Sequence, residues 1–388
     1  MKAESEAGLD TSVFETVISA GNVDARRQLA RELAGLTANP ATPESERRAV
    51  VTSILKLAAD PVLDIRRALA ESLAVAEKID ARIVFAVVAD EDEIALPFLT
   101  AAASLDTSVM VAVARVGDIA RQMQVALRSD LSAEAVDYMA ANCEIPVCIA
   151  LFDNPAAHLG ERHFRTLYAR FGQAPQIVER LLACEQLPPD IRILQARRAS
   201  NRIHQLMAER GWVPANDAAE MVADAEESAV LTILTSATPE EMQETIRFLT
   251  VKNMLTPSII IRAACLGEME IVERALAHLC GMAPGRAPQV LYGRGPVSLR
   301  ALYKKAGLPP NCFWLLRAAI DVEREARDEG HRLGSGDFGR RLIEALMTRY
   351  ESMAMGERTK QLEIVGRFGE EQVRIIAGRL KIDLVRAA

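Results

Sequence analysis

The sequence predicts an all-α protein, and three observations support this fold class. Aromatic residues make up only 4% of the 388 residues, and the abundance of alanine, leucine, arginine and glutamate favours helix over strand. Apolar residues amount to 50% of the chain, which is enough for a large buried core. Apolar positions also recur at steps of three and four residues, the period of an amphipathic helix. We therefore expect helices that stack on one another through apolar faces.

Residues 58–74 contain the pattern around which the rest of the chain is organised. Apolar residues recur at four-residue steps on one face of the predicted helix: Ile65, Leu69 and Leu73. Asp60 is a natural N-cap, and Pro61 suits the first turn, where its missing N–H would have no partner. The stretch predicts the second helix of a HEAT-type helical hairpin.

The same pattern recurs along the first half of the chain. Three helices precede residue 58, at 13–20, 22–36 and 42–57. An acidic residue followed by isoleucine then stands before four apolar runs: Asp64-Ile65, Glu93-Ile94, Glu144-Ile145 and Asp190-Ile191. Their separations scatter around the roughly 40 to 47 residues of HEAT and armadillo units. The sequence thus predicts a HEAT-like α-solenoid of degenerate hairpin repeats over residues 1–210.

Turn-favouring residues at 211–218 predict a linker to a C-terminal helical unit at 219–330. Within that unit, Thr238 and Glu241 have the spacing of a capping box, and Thr256 begins a helix that Gly267 ends. Glycines and prolines then divide the region after Gly281 into short helices. The last stretch, 331–388, predicts a charged helical tail that caps the solenoid or docks on a partner.

Composition also bears on location and partners. The formal net charge is −7 and the pI is near 5.5, so nucleic-acid binding, which rests on Lys and Arg neutralising phosphates, is not expected. No apolar run has the form of a signal peptide or the length of a membrane span. The six cysteines form no C-x-x-C pair, and a free thiol in an apolar helix behaves as a small hydrophobe. We expect a cytoplasmic protein; its oligomeric state stays open.

The sequence predicts no catalytic, cofactor-binding or metal-ligating residues. His158 and His163, with Glu161 between them, have a conceivable metal spacing, but a loop and a helix start explain them better. The best candidate ligand site is a basic, glycine-rich segment at 281–305, because backbone N–H groups before a helix can hold an anion. Four side chains there are candidates for gripping a phosphate or carboxylate: Arg286, Arg294, Arg300 and Lys304. The alternative is that the glycines only make turns and the cations a solvated surface.

Three residues are candidate protein contacts. Arg66 and Arg67 belong to paired arginines that form either a binding stripe or, as is common in HEAT-type arrays, ion pairs with the neighbouring repeat. Trp212, in the predicted linker, is either a plug between domains or an exposed contact residue, since interfaces favour tryptophan as an anchor.

Four segments resemble the DUF2336 family, alphaproteobacterial proteins described as HEAT-like: residues 89–99, 144–159, 255–281 and 299–310. The resemblance covers about residues 20 to 330, and its most specific part is LTPSIIIRAACLGEMEIVERALAHLCG followed by LRALYKKAGLPP. It implies an α-helical repeat fold, and it brings no established reaction and no catalytic residues.

Three classes of function remain. The leading one is a non-enzymatic scaffold or adaptor that presents a helical-repeat surface to another protein. The alternative is a signalling protein that senses a nucleotide or other anionic ligand at 281–305. A HEAT-like glycosylase or lyase is disfavoured, because these enzymes need a cleft with a reactive carboxylate and the glycosylases also need a basic face.

Overall fold

The computed structural model describes residues 11–38, 43–76, 78–103, 105–293, 296–349, 353 and 355–387. These residues form 23 α-helices, three short 3-10 helices and no strand, which confirms the predicted all-α class. None of the described helices is both long and apolar enough to cross a membrane. The chain divides into two compact units, Met1–Leu187 and Pro188–Ala388.

The first unit contains twelve described α-helices and a 3-10 helix at Pro155–Ala157. The α-helices are α1 (Thr11–Ala20), α2 (Val23–Ala38), α3 (Glu44–Ala58), α4 (Leu63–Ala74), α5 (Ala81–Val88), α6 (Asp92–Ala101), α7 (Thr107–Val116), α8 (Ile119–Ala126), α9 (Ala133–Asn142), α10 (Ile145–Asp153), α11 (Glu161–Phe171) and α12 (Pro175–Ala183).

Helices of the first unit contact one another in two alternating series. Each odd-numbered helix from α1 to α9 contacts the next odd-numbered one, and each even-numbered helix from α2 to α10 contacts the next even-numbered one. Consecutive helices such as α3 and α4 also contact each other as hairpins. Ile65, Leu69 and Leu73, the predicted inner face of α4, are all fully buried, as their spacing predicts.

The start of α4 lies later in the chain than predicted. The helix begins at Leu63 with Val62 as its N-cap, and Pro61 lies before it. The Asp60 carboxylate accepts a hydrogen bond from the Val62 N–H at 2.9 Å and pairs with Arg26 at 2.6 Å. Asp60 therefore stabilises a turn in front of the helix and ties α4 to α2, because its side chain has both a local donor and a cation on the preceding even-numbered helix.

Arginine side chains join successive hairpins by binding helix ends. Arg66, on α4, donates to the Asp60 carbonyl at 2.8 Å and to the Asp90 carboxylate at 2.8 Å. Arg121, on α8, donates to the carbonyls of Val88 at 2.9 Å and of Asp90 at 2.6 Å. The last carbonyls of a helix have no partner within it. Arg121 therefore satisfies acceptors where α5 ends, and Arg66 satisfies a carbonyl in the turn after α3 and pairs with a carboxylate after α5.

Arg128 also donates to carbonyls at a helix end, and its side chain is more buried than those of Arg66 and Arg121. Its guanidinium donates to the carbonyls of Leu99 at 2.7 Å and Ala102 at 2.8 Å, and it pairs with Asp130 at 2.7 Å. Asn154 donates in turn to the Arg128 carbonyl at 2.8 Å. Burial disfavours the charged Asp130 carboxylate, but the hydrogen bond and charge of Arg128 outweigh it and lower the pKa of Asp130.

We expect Arg128→Ala to destabilise the protein much more than Arg67→Ala. The first change leaves two buried carbonyls and the Asp130 carboxylate without their donor, which costs about 2–4 kcal/mol. Arg67 is 40% exposed and makes surface ion pairs, which contribute less than about 1 kcal/mol. Urea unfolding followed by circular dichroism measures both variants, and equal losses would contradict the role of Arg128.

We also expect Asp130→Asn to change the pH dependence of stability. A carboxyl whose pKa is lowered in the folded state stabilises the protein above its unfolded pKa of about 3.9. That contribution is lost as the pH falls through the lower, folded pKa. Urea midpoints measured between neutral pH and about pH 3 should therefore differ most at neutral pH and converge in acid; a constant difference would exclude the linkage.

The second unit contains eleven described α-helices and 3-10 helices at Pro284–Arg286 and Pro310–Cys312. The α-helices are α13 (Pro189–Arg210), α14 (Ala215–Ser236), α15 (Pro239–Val251), α16 (Pro257–Leu266), α17 (Met269–Leu279), α18 (Ala287–Leu291), α19 (Pro296–Lys305), α20 (Phe313–Asp328), α21 (Ser335–Thr348), α22 (Met355–Phe368) and α23 (Glu371–Ala387).

Residues 211–218, predicted as a linker, lie inside this second unit. Gly211 ends α13 in the left-handed conformation with φ 61°, and the Trp212 N–H donates to the Met207 carbonyl at 3.3 Å. Pro214 then precedes α14, and the two long helices contact each other as a hairpin. Turn-favouring residues thus join two paired helices here, and the compact units divide between Leu187 and Pro188.

The segment after residue 331 contributes to the same core as the preceding helices. Apolar side chains of α21, α22 and α23 are buried with those of α16 and α20: Phe338, Leu342, Leu346, Leu362, Val365 and Val373. Their spacing of three or four residues within each helix places them on one face. The charged residues that suggested a separate tail cover the opposite faces of these helices.

Sequence signals for helix ends in the second unit are confirmed. Thr238 and Glu241 form a reciprocal capping box, with hydrogen bonds of 3.3 and 2.8 Å. Thr256 accepts from the Ile259 N–H at 3.2 Å at the start of α16, and Gly267 ends that helix with φ 79°.

We expect Gly267→Ala to cost about 2–4 kcal/mol and Gly281→Ala only about 1 kcal/mol. Both glycines are left-handed, with φ 79° and 64°. A Cβ at Gly267 would lie 2.8 Å from the Phe338 ring. At Gly281, none of the other described atoms would lie within 4 Å of the added Cβ. Thermal unfolding of both variants isolates the contribution of the ring contact. Equal shifts would mean that Phe338 moves aside freely.

Candidate functional site

The α13–α14 hairpin exposes large apolar side chains. Each helix has 22 residues and is therefore about 33 Å long. Ile203 is 53% exposed, Met221 57% and Trp212, in the turn, 71%. Exposed apolar residues that recur on one supersecondary element are more informative than isolated ones, because contiguous apolar surface marks interaction sites.

The middle of α14 is anchored to the core of the second unit. Arg262 is buried and donates to Asp224 at 2.7 Å and to Ser228 at 2.9 Å, and its guanidinium lies 4.5 Å from the centre of the Phe368 ring. Arg367 also pairs with Asp224, at 3.1 Å. These contacts hold α14 against α16 and α22 and leave the end near Trp212 in solvent.

The other predicted protein contacts are engaged within the chain. The Arg66 side chain is 13% exposed and pairs with Asp90 and Glu91, both at 2.8 Å. Arg67 pairs with Asp64 at 3.2 Å and with Glu93 at 3.0 Å. Both arginines therefore form ion pairs with the neighbouring hairpin, which was the alternative to a binding stripe. Among the three candidates, Trp212 is the one whose side chain is mainly exposed.

A cavity of about 420 Å³ lies beside α19 and the start of α20. We call it the aromatic cavity, and eight residues line it: Arg300, Tyr303, Lys304, Leu308, Pro310, Phe313, Trp314 and Glu357. Three aromatic rings, two cations and one carboxylate thus meet around one space.

The aromatic rings of this cavity hold one another in fixed orientations. Tyr303 and Phe313 meet edge to face with centroids 5.2 Å apart, and Phe313 meets Trp314 at 5.7 Å. The Tyr303 hydroxyl donates to the Pro309 carbonyl, and burial raises the pKa of Tyr303. The Arg300 guanidinium lies 4.8 Å from the centre of the Phe313 ring, a cation–π geometry. The wall is therefore built before any ligand binds.

The structure brings together two of the four predicted anion-binding residues. Arg300 and Lys304 lie one turn apart on α19 and both line the aromatic cavity. Arg286 is exposed in the 3-10 helix Pro284–Arg286 and is not part of the lining, and Arg294 lies outside the described residues. Glu357 was missed because no sequence pattern connects α22 to a segment more than fifty residues earlier.

A buried polar cluster was also missed by the sequence analysis. Glu273 accepts hydrogen bonds from the Tyr292 hydroxyl at 2.6 Å and from Arg327 at 2.7 Å, and the guanidinium lies 4.2 Å from the centre of the Tyr292 ring. Burial and the neighbouring Glu273 raise the pKa of Tyr292. The cluster joins α17, α18 and α20. Its signal in the sequence is an acidic residue at helical spacing from the buried Met269 and Leu276 of α17.

Of the two histidines named as conceivable metal ligands, one has other partners and the other lies in a loop. His163 Nδ1 accepts from the Gly160 N–H at 3.0 Å, and its Nε2 lies 2.7 Å from the Asp137 carboxylate. His158 occupies a left-handed loop position with φ 44°. In the part of the chain that the structure covers, no three His, Cys, Asp or Glu side chains form a group suited to a metal ion.

Comparison with known proteins identifies a family. A family model described as "Uncharacterised protein conserved in bacteria (DUF2336)" matches residues 94–356. This region includes the α13–α14 hairpin and every residue of the aromatic cavity except Glu357. No curated protein and no solved structure matches the chain. Since the matched region covers more than half of the sequence, the chain belongs to the DUF2336 family, as its resemblance predicts.

Proposed function

We propose that this protein is a non-enzymatic scaffold that binds another protein through its helical-repeat surface, with the end of the α13–α14 hairpin as the contact. The observation that carries the proposal is the 71% exposure of Trp212 at the turn. Covering apolar area gains roughly 25 cal/mol per Å². Tryptophan is also enriched among the few residues that dominate binding energies at protein interfaces.

The surroundings of Trp212 support a protein partner. Ile203 and Met221 add exposed apolar area on the two helices, and Arg202, Arg210 and Asp217 are exposed polar residues of the same hairpin. Protein interfaces usually combine apolar side chains with polar ones. The anchoring of α14 by Arg262 keeps the hairpin in place, so little order has to be gained on binding.

We further propose that the first unit is a HEAT-like α-solenoid. The two alternating series of helix contacts support this arrangement, because stacked hairpins contact only their neighbours. A cytoplasmic location is part of the proposal: all six cysteines are free and five of them are buried, as expected in a reducing compartment.

Crosslinking in the native host followed by affinity purification and mass spectrometry tests the scaffold. We expect a reproducible protein partner with the full-length chain and at least a tenfold lower recovery with Trp212→Ala, because a tryptophan anchor typically contributes more than about 2 kcal/mol. Ile203→Ser combined with Met221→Ser should weaken recovery in the same direction.

Val116→Ala is the matched control, since Val116 is an 87% exposed apolar residue on the first unit. Its partner recovery should equal that of the unchanged protein, and circular dichroism should show the same helix content for every variant. A partner retained by Trp212→Ala, or no specific partner at all, would refute the hairpin as the contact.

A further inference from the structure

We propose that the aromatic cavity binds a mononucleotide, an aromatic base that carries a phosphate. The cavity volume of about 420 Å³ lies within the range of roughly 300–1,000 Å³ that small-molecule sites occupy. Such sites combine mainly apolar and aromatic walls with a few converging polar groups. The cavity matches this composition, and its site is separate from the α13–α14 hairpin.

Two cations of the cavity have no carboxylate partner. Arg300 and Lys304 form no ion pair within the described part of the chain. The next residue, Lys305, differs, because its ammonium donates to the Cys280 carbonyl at 2.7 Å and serves the fold. Arg300 is held over the Phe313 ring, so its guanidinium is oriented in advance. Two unpaired cations one helical turn apart are suited to a phosphate group.

The aromatic wall is suited to a planar ring. Trp314 is partly exposed and lines the cavity together with Tyr303 and Phe313, which are 5% and 7% exposed. Stacking on an aromatic side chain stabilises nucleic-acid bases regardless of their identity. Inorganic phosphate would leave this wall uncovered, and an uncharged aromatic compound would leave both cations without a partner.

An acceptor on α22 is suited to an N–H group of a base. The Glu357 carboxylate lines the cavity. An amino group on the base is the kind of donor that a carboxylate recognises.

Calorimetric titration and thermal unfolding of the full-length protein test this site with AMP, GMP, CMP and UMP, the corresponding nucleosides and inorganic phosphate. We expect at least one mononucleotide to bind with a Kd below about 1 mM and to raise the Tm. The nucleoside and inorganic phosphate should each bind at least about tenfold more weakly, because each uses only part of the cavity.

Three variants test whether the nucleotide binds in the aromatic cavity or to the basic segment in general. The double change Arg300→Ala with Lys304→Ala should weaken nucleotide binding at least about tenfold. Arg286→Ala, an exposed cation of the same segment outside the cavity, should leave the Kd unchanged. Glu357→Gln, a substitution at an exposed position, should reduce the preference for bases with amino groups even if the double variant is unstable.

The proposal is overturned if no mononucleotide binds below that limit, if inorganic phosphate binds as tightly as the nucleotide, or if the cavity variants bind like the unchanged protein. These results do not depend on Trp212, so failure here and failure of the scaffold proposal are distinguishable.

Discussion

The ends of short helices impose the main constraint on this fold. Several helices of the first unit have eight to ten residues, so a large share of their carbonyls lies in the last turn, where no helical N–H reaches them. Arg121 and Arg128 supply donors from a neighbouring hairpin, and Arg66 supplies one within its own hairpin. The stacking of hairpins is thus specified by hydrogen bonds as well as by apolar faces, and a change of register would leave buried acceptors unpaired.

The second unit uses arginine differently. Arg262 and Arg327 each combine carboxylate contacts with an aromatic ring, at 4.5 Å from Phe368 and 4.2 Å from Tyr292. A planar guanidinium can stack and donate in its own plane at the same time, which lysine cannot do. These two residues therefore join helices that are distant in sequence: Arg262 joins α16 to α14 and α22, and Arg327 joins α20 to α17.

Local signals predicted the helices well, because caps and periodicity act within a few residues. The capping box at Thr238, the left-handed Gly267 and the buried face of α4 follow from their sequence alone. Predictions that depend on long-range packing were weaker. The turn at 211–218 has the composition of a linker, yet it closes a hairpin, since the same residues favour both.

The residues of the aromatic cavity also fall into two groups, those that the local sequence predicted and those that only packing brings together. Arg300 and Lys304 were predicted among four cations of a basic, glycine-rich segment, and the structure places these two one turn apart on α19. Glu357 and the aromatic rings of α20 meet them only through the packing of α19, α20 and α22, which no local pattern encodes. The paired arginines Arg66 and Arg67 are a different case, because the sequence shows them as repeated charges and the structure gives each a carboxylate partner in the next hairpin, Asp90 and Glu93.

Helix α22 has Glu357 near its first residue and Arg367 and Phe368 at its end, so one rigid element borders the aromatic cavity and also holds the middle of α14. A displacement of this helix at one end is transmitted to the other, because a helix resists bending over so short a length. An occupant that displaced α22 at one place would change the affinity at the other, and the reverse effect would be equally large, because coupling between two sites is reciprocal.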